Sequence, residues 1–76
     1  MAAPQLELYG ASGCPYTTEW REQLSLDGRD FVEYDVETDA AARARLEALT
    51  GDSRVPVIVD DGRLLAIGWG GRSCLV

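Results

Sequence analysis

Histidine is missing altogether, and its absence closes off much of enzyme chemistry. There is no Cys–His nucleophile pair, no Ser–His triad, no H-E-x-x-H zinc site and no imidazole proton shuttle. Cysteine is scarce as well. The two present cannot supply a closed zinc site within one chain, so no metal is expected. Basic charge falls short of acidic, with 7 Lys and Arg against 13 Asp and Glu for a net charge of −6. That balance excludes the basic stripe a nucleic-acid backbone needs, and it suits no anionic membrane. No apolar run reaches the length of a membrane span. Met1-Ala2-Ala3-Pro4 lacks both the basic start and the apolar centre of a signal peptide. A cytoplasmic location is the default expectation, and there two cysteines signal redox chemistry more often than a structural cross-link.

What is present reads as a small globular chain. Its 76 residues, 46% apolar and 26% charged, suit one domain spanning residues 1–76 with one small core. Domains this short are marginal, so an economical topology or a staple is expected. No repeat, linker or low-complexity stretch interrupts it.

The most informative stretch is Gly10-Ala11-Ser12-Gly13-Cys14-Pro15-Tyr16-Thr17. Before it, Gln5-Leu6-Glu7-Leu8-Tyr9 alternates apolar and polar, the period of a half-buried strand. Gly10 and Gly13 break that strand, and Pro15 is favoured at the first helical position, where its missing N–H is no loss. Cys14 is therefore the expected N-cap, with its sulfur above the amides of Tyr16 and Thr17. Those amides and the positive end of the helix dipole favour thiolate over thiol, and cysteines so placed are acidic and reactive. Thr17 falls at N3, within reach for its hydroxyl to donate to the sulfur anion. The plainer alternative is a buried cysteine that only caps a helix.

Downstream, Thr17, Trp20, Leu24 and Leu26 continue a helical spacing to about residue 27, with Gly28 as its left-handed cap. Phe31-Val32-Glu33-Tyr34-Asp35-Val36 reads as a second strand. Strand, helix and strand in that order imply a right-handed crossover and a parallel pair. Thr38 or Asp39 caps a second helix whose buried stripe is Ala42, Leu46 and Leu49, with Arg43, Arg45 and Glu47 outward and Gly51 at its end. Val55-Pro56-Val57-Ile58-Val59 is a third strand headed by proline. Asp60-Asp61-Gly62 then turns the chain into an antiparallel return, Leu64-Leu65-Ala66-Ile67. The remainder, Gly68 to Val76, is too rich in glycine for more than one short helical turn.

This order, β-α-β-α-β-β with a cysteine capping the first helix and Val-Pro opening the third strand, resembles the thioredoxin fold. Cys14-Pro15-Tyr16-Thr17 is similar to the glutaredoxin active-site motif with threonine in place of the second cysteine. Val55-Pro56 matches that family's Thr-Val-Pro element, and Ile67-Gly68 matches the start of its Gly-Gly turn. The pattern also resembles the glutaredoxin-like Uxx-star (seleno)protein group, some of whose members carry selenocysteine at the position of Cys14. The resemblance implies an α/β thioredoxin-like domain with a four-stranded mixed sheet and a C-terminal helix truncated to a stub.

It also implies a cis Pro56, with the Val55 backbone turned toward the sulfur and ready to pair with an extended substrate. Glutathione-using relatives usually carry a lysine three residues before the cysteine, where Ala11 stands here. Their threonine before Val-Pro is Arg54, their second turn glycine is Trp69, and their acidic residue near the γ-glutamyl amine is replaced around Gly71-Arg72. Each change removes or rearranges a glutathione contact.

Cys14 is accordingly read as nucleophile, with Thr17 supporting it. Pro15, Tyr16, Arg54, Val55, Pro56, Gly68 and Trp69 are the expected substrate-binding residues. Tyr16 is either a groove wall or a core residue, and Trp69 either lines the groove or closes the core. Arg54 either steers an anionic substrate or is a solvated loop cation. Trp20 is assigned to the core. Cys74 is either an inert thiol near the chain end or a resolving thiol, since the turn after the last strand lies near the active-site helix start in this fold. The glycines between Gly68 and Gly71 would let the tail bend to it.

Three functions follow as expectations. The first is a thiol–disulfide oxidoreductase acting on protein or low-molecular-weight disulfides, with no tightly bound cofactor, glutathione as a co-substrate, and release by glutathione or Cys74. The second is an iron–sulfur module in which two chains each give Cys14 and two external thiols complete the ligand set. The third is a thioredoxin-fold binding domain without turnover.

Overall fold

The alternation around Leu6 and Leu8 produces strand β1 (Leu6–Gly10), which lies inside the sheet and positions everything else. The computed structural model describes residues 5–76, so the reading of Met1-Ala2-Ala3-Pro4 lies outside the described residues. After β1 come α1 (Pro15–Leu26), β2 (Phe31–Asp35), α2 (Ala40–Thr50), β3 (Arg54–Val55), β4 (Val57–Asp60), β5 (Arg63–Ile67) and β6 (Cys74–Leu75). The main sheet has four strands in the order β2-β1-β4-β5. Strand β1 runs parallel to β2, from Leu6↔Phe31 to Gly10↔Asp35, as the crossover implies. It runs antiparallel to β4, and β4 is antiparallel to β5. This is the mixed four-stranded thioredoxin-like sheet expected from the sequence.

Period-two alternation gives the sheet two buried faces. Leu6, Leu8 and Ile58 pack with Leu24 of α1 and half-buried Trp20 on one side. Tyr9, Val57 and Val59 pack with Ala42 and Leu46 of α2 on the other. Burying a side chain the size of Leu8, Leu46 or Ile58 contributes about 1.5–3 kcal/mol each. The register pair Tyr9 and Tyr34 stacks at 5.1 Å. Arg45 stays exposed but folds over both rings, 4.9 Å from the centre of Tyr34, with its Nε donating to the Tyr9 hydroxyl at 3.3 Å. Burial, and then the Glu7 carboxylate, push the Tyr34 hydroxyl above its usual pKa.

The helix ends follow their local chemistry. Asp39, not Thr38, caps α2 by accepting the Ala42 N–H at 3.0 Å, while the Thr38 hydroxyl donates to the Asp35 carbonyl. At the end of α1, Arg29 N–H donates to the Leu24 carbonyl at 3.0 Å and Gly28 N–H to that of Ser25 at 3.1 Å, a Schellman closure.

Several expected details change. Leu26 is 84% exposed because it lies two residues beyond buried Leu24, nearly opposite it around the helix. Leu49 is 39% exposed, on the flank of the α2 stripe in the last turn. The expected strand over residues 55–59 divides at Pro56, which has no N–H to give a ladder, into β3 and β4. Arg43 turns toward the tail instead of outward, its Nη2 donating to the Val76 carbonyl at 2.8 Å. In place of the expected helical stub come a turn and a short strand. Residues 69–72 form a tight turn, and β6 pairs antiparallel with β3 through Arg54↔Leu75 and Val55↔Cys74.

Candidate functional site

Cys14 is the N-cap of α1, in extended backbone (φ −95°, ψ 114°), with Pro15 opening the first turn. Its N–H donates to the Ala11 carbonyl at 3.1 Å, and its carbonyl accepts the Thr17 N–H at 3.1 Å. The residue is only 2% exposed, packed in the cluster that holds Ala11, Val36 and Val55. Its Sγ makes no capping hydrogen bond. It is joined instead to Cys74 in a disulfide with a Cα–Cα distance of 6.0 Å.

The bond explains the missing cap. A sulfur shared with Cys74 carries no negative charge for the helix amides to meet. Thr17 likewise does something other than expected. It is wholly buried, and its hydroxyl accepts the Ala11 N–H at 3.3 Å where donation to sulfur was anticipated. Its side chain fills the space beside Gly10, so a Cβ at residue 10 would collide with it.

Opposite the helix start lies the Val55–Pro56 loop, whose peptide bond is cis. The Val55 carbonyl oxygen is 4.0 Å from Cys14 Sγ. Buried Pro56 accepts the Gly68 N–H on its carbonyl at 2.7 Å, which ties the end of β5 to this loop. Gly68 has φ +81°, and a Cβ there would lie 2.6 Å from the Arg72 carbonyl oxygen. Only glycine meets both demands.

From Gly68 the tail folds back. Trp69 N–H donates to the Arg72 carbonyl at 2.8 Å, and Arg72 N–H returns to that of Trp69 at 3.0 Å. The two residues between them, Gly70 (φ 58°) and Gly71 (φ 81°), both have positive φ, as a two-residue hairpin corner requires. This reversal sets Cys74 opposite Val55. Beyond Cys74, Val76 N–H donates to the Ser53 carbonyl at 3.4 Å, and the Val76 carbonyl accepts the Ser53 hydroxyl and Arg43 Nη2. The sulfur pair is thus held by a turn on one side and a polar clamp on the other.

A groove of about 330 Å³ opens beside this centre, between Tyr16 and Glu19 of α1 and Trp69, Gly70 and Arg72 of the tail. Trp69 stands edge-on to Trp20 at 5.0 Å, and Trp20 Nε1 donates to the Gly68 carbonyl at 2.7 Å. Tyr16 is half-buried, serving both as groove wall and as a partner of the core.

Cys14, Pro15, Tyr16, Val55, Pro56, Gly68, Trp69 and Cys74 therefore come together at one end of the sheet. Arg54 does not join them. Strand alternation turns Val55 inward and leaves Arg54 exposed, paired with Asp52 at 3.5 Å. Sequence reasoning missed Glu19 as a groove residue, although it follows Tyr16 by three positions and so shares its helix face. It also missed Arg43 and Ser53. Their partners are main-chain atoms of the tail, which leave no mark in the sequence.

Residues 6–65 match the family model described as Glutaredoxin. An uncharacterized glutaredoxin-like 8.6 kDa protein in the rubredoxin operon of Clostridium pasteurianum is 32% identical over 60 residues, 79% of this chain and 80% of that protein. A mutant of a thioredoxin-like protein of known crystal structure matches with a TM-score of 0.76 at 33% identity, over 83% of this chain and 81% of that one. The glutaredoxin from Archaeoglobus fulgidus matches with a TM-score of 0.77 over 91% of this chain and 79% of its own, and at 22% identity the likeness is one of fold alone. The family match stops short of the turn at Gly68 and of Cys74.

Proposed function

This chain belongs to the glutaredoxin family, and from that premise we propose that it is a thiol–disulfide oxidoreductase in which Cys14 attacks and Cys74 resolves. The Cys14 thiolate adds to one sulfur of a substrate disulfide and expels the other as a thiolate, which takes a proton from solvent. Cys74 then attacks the Cys14 sulfur of the mixed disulfide and releases the remaining substrate thiol, leaving Cys14 bonded to Cys74. The single observation that carries this reading is the Cys14–Cys74 disulfide at a helix start beside the Val55–Pro56 loop. In this reading the substrate, a protein or low-molecular-weight disulfide, would lie along the groove between Tyr16 and Trp69.

Glutathione takes a minor part as co-substrate in this reading. Ala11, Trp69 and Arg72 stand where glutathione-using members of the family differ, and Cys74 already supplies the second thiol. The iron–sulfur alternative would need the Cys14 sulfur free and reachable from a second chain, and its burial and its bond to Cys74 count against it.

Single-turnover exchange with a small disulfide tests the proposal. Cys14→Ser should lose the exchange by about a thousandfold or more. Cys74→Ser should keep the first exchange and accumulate a mixed disulfide on Cys14. A Cys14→Ser protein that exchanges as fast as the parent would end the proposal.

A further inference from the structure

The groove beside the sulfur pair carries one charge of each sign, and the two do not meet. Tyr16 and Glu19 stand three positions apart and so share one face of α1. Across from them, Trp69 and Arg72 oppose each other in the hairpin corner, which puts their side chains on one side of it. Arg21, Arg43 and Arg54 each pair with a nearby carboxylate. Glu19 and Arg72 are exposed and form no ion pair among the described residues. Resting on the oxidoreductase reading, we propose that the small substrate of this groove is an amino-acid disulfide, cystine being the simplest. Glu19 meets its ammonium group and Arg72 its carboxylate.

A carboxylate alone would select cations and a guanidinium alone would select anions, whereas the two together favour a molecule that carries both. The net charge of −6 draws cations to the surface as a whole, and Arg72 tilts this groove back toward a carboxylate. Both charges lie close to the sulfurs. Arg72 comes two residues before Cys74. Glu19 stands about 7.5 Å along the helix from Cys14, with its side chain leaning back toward the helix start. The ligand must therefore carry its charges within a few bonds of its own sulfur, as an amino-acid thiol does. Tyr16 and Trp69, the latter held edge-on to Trp20 at 5.0 Å, give aromatic walls for the methylene and sulfur between those charges.

The step balances within the protein and one cystine. The Cys14 thiolate bonds to one cystine sulfur and expels the other half as a thiolate, which takes a proton from solvent. Cys74 loses its proton, displaces the second half and closes the Cys14–Cys74 bond. One cystine is reduced to two free cysteines as the two protein thiols are oxidised. In reverse, two free cysteines open the bond, so the oxidised protein, with this groove in place, serves for the test.

Oxidised parent, Glu19→Gln and Arg72→Gln proteins are mixed at low ionic strength with free cysteine, cysteamine, mercaptoacetate or 2-mercaptoethanol. Opening of the bond is followed by acid quench, alkylation and intact mass. Each rate is divided by that of uncharged 2-mercaptoethanol on the same protein, which removes any change in the sulfurs themselves. Both substitutions should slow free cysteine about threefold, the scale of an exposed ion pair. Cysteamine should be slowed by Glu19→Gln and not by Arg72→Gln, and mercaptoacetate by Arg72→Gln and not by Glu19→Gln. These differences should fade in about 1 M salt. A free-cysteine rate that one of the substitutions leaves unchanged or raises overturns the proposal and leaves the oxidoreductase reading standing. A bond that none of the thiols opens, in a protein whose reduced form exchanges with no disulfide, overturns both.

Discussion

The two cysteines end in one bond, yet the regions that deliver them are built by opposite means. Cys14 is set by its neighbours in sequence: a strand, a turn, a proline and a helix within about ten residues, all backed by core. Cys74 is set by distant partners: Val55 across the β3–β6 pair, Ser53 and Arg43 around Val76, and Pro56 through Gly68. Local constraints survive when the rest of the chain loosens. Long-range ones cooperate and fail together. In the proposed cycle the attacking sulfur therefore belongs to the locally built region, and the resolving sulfur to the one held by distant contacts.

Opening the bond should have the largest effect on stability, because its cysteines are 60 residues apart in sequence. In the loop-entropy account, a closure of that length constrains the unfolded chain by about 4 kcal/mol. Urea unfolding of the oxidised and reduced proteins measures it directly. A difference below about 1 kcal/mol would mean that the tail is as firmly held without the bond as with it, and the contrast between the regions would collapse.

Glycine substitutions sharpen the comparison at a smaller scale. At Gly10, a methyl group meets the Thr17 side chain inside the rigid region. Gly10→Ala should cost about 1–3 kcal/mol of global stability. At Gly68, a methyl group meets the Arg72 carbonyl oxygen at 2.6 Å, on a backbone with φ +81°. Gly68→Ala should cost a similar amount in the oxidised protein but markedly less once the disulfide is reduced, since a released tail can move away. Gly13→Ala is the control, with nothing within 4 Å of its added carbon, and should stay within about 0.5 kcal/mol of the parent. Chemical denaturation in both redox states reads all three. Equal costs for Gly68→Ala in the two states would say that the tail does not loosen.

The smallest expected effect is electrostatic. In reduced Cys74→Ser, the helix start should hold Cys14 below the free-thiol value of about 8.5. Exchange should then slow only when pH falls through that lowered value, because thiolate is the reacting form. Titration of thiolate absorbance checks it, and an unshifted value removes the helix start as the source of reactivity.

The same contrast explains what could be read from sequence. The strand–turn–helix unit around Cys14 was legible because each signal lies beside the next, and Val55-Pro56 was legible as a motif. The tail was not. An expected helical stub proved to be a hairpin corner and a strand, because β6 owes its form to β3, some twenty residues earlier in the chain. Thr17 shows a subtler limit. Its place at N3 of the helix followed from spacing, but its hydroxyl oxygen accepts the Ala11 N–H, a main-chain demand that no residue pattern announces. Arg54 stands beside the Val55–Pro56 loop as a solvated cation, the second of its two expected places, paired with Asp52.

Oxidation of the reduced protein with one equivalent of a mild oxidant, followed by peptide mapping, tests the pairing on which all of this depends. The account predicts a monomer carrying an intramolecular Cys14–Cys74 cross-link. Disulfide-linked dimers joined Cys14 to Cys14, with Cys74 left free, would contradict it.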